Sequence, residues 1–74
     1  MYLPGSSSRG RLAWLHAKAT WPGGERRIAC RVDYGMTRTL EGVYSVWCVI
    51  TARKDPHWRY GQGFFIAESA IELR

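Results

Sequence analysis

The sequence predicts a small all-β domain, either a barrel or a strongly bent antiparallel sheet of about five strands. Three observations carry this expectation. Four or five apolar, β-branched or aromatic segments recur at 8–14-residue spacing, separated by Gly, Pro, Asp and Thr. The composition, 46% hydrophobic and 14% aromatic with 23% charged, excludes a disordered tail, a collagen-like repeat and a coiled coil. A chain of 74 residues makes one domain with a thin core, and bending or closing the sheet disposes of most of its unpaired edges.

The elements follow in order. Residues 1–10 hold Pro4, Gly5, three serines and Gly10, and read as a flexible N-terminal arm ahead of one domain at 11–74. Residues 11–21 admit two readings. As a helix, Leu12, Leu15 and Ala19 form a short stripe, and Ala and Leu favour it by propensity. As a strand, Ala13, Leu15, Ala17, Ala19 and Trp21 share one face, with Trp14, His16, Lys18 and Thr20 on the other. The strand is preferred, because its alternation is cleaner and its surroundings are β-rich. Pro22-Gly23-Gly24 then turns the chain back.

Residues 26–34 alternate again, with Ile28, Cys30, Val32 and Tyr34 facing the core and Arg27, Arg31 and Asp33 facing away. Gly35 marks a bulge. Thr39-Leu40-Glu41-Gly42 is a turn into residues 43–51, the most strand-prone segment and the expected central strand. Lys54-Asp55-Pro56-His57 is a loop, because Asp-Pro initiates turns. Trp58 to Ile66 is the next strand, with Gly61 and Gly63 as kink or bulge sites. Residues 67–74 form a short helical turn or a last edge strand.

The run Gly63-Phe64-Phe65-Ile66-Ala67-Glu68-Ser69-Ala70-Ile71-Glu72 resembles the closing segment of SH3-like barrels, in which a strand ends, one helical turn follows, and a short strand completes the fold. The resemblance implies an SH3-like barrel of about five strands, a fold that binds proline-rich peptides, RNA, DNA or other proteins. The small tetrameric trimethoprim-resistant dihydrofolate reductases end similarly. Their Gln-x-Tyr motif falls here on Phe64, Phe65 and Ile66, with Gln62 out of register, so the resemblance does not carry a reductase site onto this chain.

Charge sets the expected partner. Eleven Lys and Arg against six Asp and Glu give +5, and nine of the eleven are arginine, suited to planar contacts with phosphate or carboxylate. Arg27 and Arg31 share a strand face, and Arg53 is expected near Arg26 on a paired strand. His57-Trp58-Arg59-Tyr60 follows the Asp-Pro turn and concentrates recognition side chains. Basic residues interleaved with aromatics are the composition of single-stranded nucleic-acid surfaces, where phosphates meet arginines and bases stack on rings. The expected binding residues are therefore Arg27, Arg31, Arg53, Lys54, His57, Trp58, Arg59 and Tyr60, with Trp58 and Tyr60 stacking. The competing expectation is a protein-interaction module, such as a phage- or plasmid-encoded inhibitor or adaptor of a host complex, which uses the same residues against an acidic protein surface.

Catalysis and cofactors are not expected. His16, Cys30, Cys48 and His57 lack paired metal-ligand spacing, so neither metal nor cofactor is called for. Cys48 lies in the most apolar segment, and both cysteines read as small buried hydrophobes, although they could meet across paired strands. Gly61-x-Gly63 lacks the third glycine of a phosphate loop. There is no signal peptide and no run long enough to span a membrane, so the expectation is a soluble, cytoplasmic, non-enzymatic protein, with self-association credible for so small a core.

Overall fold

The computed structural model describes residues 10–17 and 24–74. The chain forms β1 (Arg11–Ala17), β2 (Arg26–Leu40), β3 (Val43–Ile50), β4 (Gly63–Ala67), a single 3-10 turn (Glu68–Ala70) and β5 (Ile71–Leu73). They make one antiparallel sheet in the order β4-β3-β2-β1-β5. The sheet is open, with β4 and β5 as its two edges, so the closed alternative is not realised. Among the described residues no helix is long and apolar enough to cross a membrane. The expected arm, most of the Pro22-Gly23-Gly24 turn, and Ala19 and Trp21 lie outside the described residues.

Period-two patterning decides the inner face. In β1, Ala13, Leu15 and Ala17 are buried while Leu12 and His16 are exposed, so the strand reading of this segment holds. Ile28, Cys30 and Val32 from β2 and Val46, Cys48 and Ile50 from β3 complete the core, and Ala70 of the 3-10 turn joins it. Trp58, Phe64, Ile66 and Ile71 pack around its rim. The 3-10 turn touches both β1 and β3, so the sheet curls over its own inner face.

The middle of the sheet is β2, not β3 as the sequence suggests. The reason is length. β2 runs for 15 residues, pairs β1 through Arg26–Val32 and pairs β3 from Cys30 to Leu40. Its register with β3 jumps between Asp33 and Thr37: Asp33 lies opposite Trp47, and Thr37 opposite Val46. The expected bulge at Gly35 is therefore present, and it spans residues 34–36. Asp33 Oδ1 accepts the Gly35 N–H at 2.8 Å, which pairs a donor placed inside the break.

The bulge also ends the alternation early. Asp33, expected to face solvent, is buried, and Tyr34, expected in the core, is exposed. The extra residues rotate the strand, so a period-two count fails on crossing them. β4 is likewise shorter than the expected 58–66 strand. Gln62 N–H bonds to Arg59 O at 3.0 Å, and Gly61 has φ +85°, so residues 59–62 form a turn with glycine at its third position.

The β2–β3 hairpin closes through Glu41 and Gly42, with φ of +51° and +79°. Two positive φ values in a two-residue loop are the signature of a type I′ turn, whose twist matches the flanking strands. Glycine adopts that conformation freely; glutamate does not. Glu41→Asn is expected to raise the melting temperature by roughly 2–5 °C, because Asn-Gly is the favoured pair for this turn. A thermal scan followed by circular dichroism checks this, and an unchanged or lower melting temperature contradicts it.

Candidate nucleic-acid interface

The register that buries one face defines the other. Across the sheet, Trp14 lies opposite Ala29, His16 opposite Arg27, Leu12 opposite Arg31, Arg31 opposite Val49, Asp33 opposite Trp47, and Trp47 opposite Phe65. A half-buried sheet of this kind usually shows water a polar outer face. Here that face carries two tryptophans and a phenylalanine together with arginines, and the rings are half-buried by their neighbours.

The arginines are laid on the rings. Arg27 Cζ lies 5.2 Å and Arg74 Cζ 4.6 Å from the Trp14 ring centroid. Arg38 Cζ lies 4.7 Å from the Phe65 centroid. Phe65 in turn meets Trp47 edge-on, with centroids 5.1 Å apart at 71°. Trp47 reaches this position because its neighbour in β4 is Gly63, where an added Cβ would fall 2.5 Å from Trp47 Cζ2. The glycine expected as a kink is thus a place of close approach. Arg31 Nε and Trp47 Nε1 are buried with no hydrogen-bond acceptor among the described residues. Such donors cost stability, and functional surfaces are where that cost is tolerated.

The loop between β3 and β4 is organised by one carboxylate. Asp55 accepts both terminal nitrogens of Arg26, Nη2 at 2.7 Å, as well as the N–H of His57 at 2.8 Å and of Trp58 at 3.0 Å. Its side chain is only 5% exposed, against 32% for Arg26. Arg26 and the two backbone donors hold the Asp55 carboxyl well below the usual carboxylate range. The sequence suggests Arg53 as the neighbour of Arg26; the structure places Asp55 there, because opposite charges pair and like charges separate. Arg53 instead stacks on Tyr60, with Cζ 4.5 Å from the ring centroid.

The sequence-predicted residues therefore divide into two groups. Arg27 and Arg31 lie on the outer sheet face. Arg53, Lys54, His57, Arg59 and Tyr60 are exposed on the 51–62 loop. Trp58 packs against the core and against Phe64, with centroids 5.6 Å apart, so its ring roofs the inner face and supports the loop from below. Trp14, expected from the sequence as an exposed aromatic beside the basic residues, lies on this face, whereas Arg38, Trp47, Phe65 and Arg74 were missed. The alternation at 11–17 did place Trp14 opposite the core, but residues 43–51 are apolar on both faces in sequence, so Trp47 had no assigned face, and the cross-strand register that joins these rings to arginines was not legible.

Cys30 and Cys48 are free, fully buried and adjacent to one another in the core, in contact. Burial and that contact push the Cys48 thiol far above its ordinary value, so it stays protonated and inert as a nucleophile.

Removing the loop carboxylate tests its organising role. Asp55→Ala is expected to lower the melting temperature by roughly 5–10 °C, and Asp55→Asn, which keeps acceptors for the two backbone donors, by less. The depressed carboxyl has a defined acid signature. Its stabilisation is complete above the unfolded carboxylate range and is lost as pH falls through that range toward the lower folded value. A stability profile from pH 7 down to about 2 should fall less steeply in Asp55→Ala than in the parent; parallel profiles would contradict the assignment. No protein-family model, curated protein or solved structure matches this chain, so its functional reading rests on its own geometry.

Proposed function

We propose that this chain is a non-catalytic SH3-like module that binds single-stranded nucleic acid along the outer face of its sheet, with the 51–62 loop as a second contact. The SH3-like reading is supported by the strand order, by the bend in β2, and by the single 3-10 turn between the fourth and fifth strands. The latter lies where the Glu-Ser-Ala resemblance puts it.

The observation that carries the functional reading is the repeated stacking of guanidinium on ring: Arg27 and Arg74 on Trp14, Arg38 on Phe65, and Arg53 on Tyr60. An arginine held over a ring keeps N–H groups for a phosphate and loses less freedom on binding. Exposed cation–ring contacts of this kind are worth about 0.5–1 kcal/mol each, so folding alone gives little reason for four of them. A phosphate backbone crossing the face would meet successive guanidinium edges, and Tyr60, more than half exposed, offers a ring to a base.

One observation favours the protein-interaction reading. Leu40 and Val43 face each other at the hairpin end, and both are exposed, as are Tyr34 and Tyr44 nearby on the same two strands. Exposed apolar groups of this density suit a protein surface better than a phosphate chain.

Titration of tryptophan fluorescence with oligo-dT and oligo-U at 50 and 200 mM salt separates the two. The nucleic-acid reading expects quenching that weakens steeply with salt. Arg27→Ala should then lower affinity about tenfold and reduce the salt slope by about one. Absence of any change at the lower salt overturns this reading and leaves the protein-interaction module.

A further inference from the structure

The β5 end of the outer face holds a cluster that the reading above does not use. Glu72 lies opposite Trp14, and His16 lies opposite Arg27. Glu72 Oε1 sits 2.7 Å from His16 Nε2 and 3.7 Å from an Arg27 terminal nitrogen. An ionised carboxylate only accepts, so His16 Nε2 carries the shared proton. Arg27 and Arg74 both stack on Trp14 beside it. A single carboxylate oxygen thus rests against donors from two other strands, at the place where the guanidiniums converge.

We propose that this cluster is an anion subsite for one phosphate of the nucleic-acid backbone, and that Glu72 occupies it in the free protein as a built-in competitor. The proposal rests on the nucleic-acid reading and assigns one anchor point within it. Three features of the cluster argue for displacement over a fixed structural bridge. The side chains of His16, Arg27 and Glu72 are each about half exposed, and ion pairs this wet contribute almost nothing to folding. Glu72 reaches Arg27 at 3.7 Å through one oxygen, too far for a hydrogen bond and without the two-oxygen fork that makes arginine–carboxylate pairs strong. The guanidiniums are also held by the Trp14 ring, so they stay in position when the carboxylate swings away. A phosphate has more acceptor oxygens than Glu72 and can meet Arg27, Arg74 and His16 together. Phosphate binding releases the carboxylate to water, and no covalent step is involved.

The test is the same oligonucleotide titration with three variants of the full chain. Glu72→Gln removes the competing charge and keeps the side-chain volume; Glu72→Ala removes the side chain as an independent check. Glu41→Gln removes an equal charge at the opposite end of β2, in the hairpin turn. Both Glu72 variants are expected to bind about fivefold more tightly at 50 mM salt, with a salt slope steeper by about 0.7 if one more phosphate is engaged. Glu41→Gln should bind like the parent. If the parent binds and the Glu72 variants bind equally or more weakly, the competitor role is overturned while the nucleic-acid reading stands. If Glu41→Gln tightens binding as much, the effect is one of net charge, and the subsite is overturned. If neither the parent nor the Glu72 variants bind, both the reading and the subsite fall.

Discussion

The break in register between Asp33 and Thr37 is the constraint on which the remaining structure depends. A straight 15-residue strand would present one flat surface that a chain of this size cannot cover on both sides. Inserting residues 34–36 without partners turns the strand, so its first half pairs β1 while its second half continues only with β3. The fold can then place a 3-10 turn against β1 and β3 together, with Ala70 in the core. Asp33 makes the break tolerable by accepting the Gly35 N–H. A single buried carboxylate therefore sits at the point where the sheet changes direction, and a bulge at such a point is a built feature of a sheet.

The core that results is thin and made of small groups. Among the described residues, alanine, cysteine and valine supply seven of its ten buried hydrophobic members, with Leu15, Ile28 and Ile50 larger. Aromatic side chains, again among the described residues, are absent from the centre and work at its margins. Trp58 and Phe64 roof the inner face, while Trp14, Trp47 and Phe65 cover the outer one. This division explains how one short chain carries so many rings without a large interior. It also explains why the Cys48 thiol is silent: it fills a small space in the core against Cys30, away from water.

Two kinds of charge pairing coexist on this molecule and do different work. Arg26 and Asp55 form a part-buried fork, reinforced by two backbone donors, and it shapes the loop that carries Arg53, Lys54, Arg59 and Tyr60. The outer face instead has arginines lying on rings, with Glu72 and His16 as wet neighbours. The first arrangement is costly to break and belongs to the architecture. The second is cheap to rearrange, as a surface that exchanges partners requires.

Much of the fold was legible because burial in a sheet has a period of two. The faces of residues 11–17 and 28–32, the bulge at Gly35, the Asp-Pro loop and the closing helical turn all follow from local pattern and turn chemistry. Reading failed where the chain departs from that period. Tyr34 lies inside the bulge and is exposed, Asp33 keeps its outward side opposite Trp47 but is buried there, and the 58–66 strand lost its first half to a turn at Gly61. The candidate face shows the same divide. The sequence by itself determined the all-β class, the core alternation and the supply of arginines and aromatics. Only the tertiary structure decided which arginine lies on which ring, that Trp58 packs against the core, that Asp55 meets Arg26, and that Glu72 rests between His16 and Arg27. Those are contacts between strands far apart in sequence, and their partners are set by register and by the bend in β2, which no local pattern encodes.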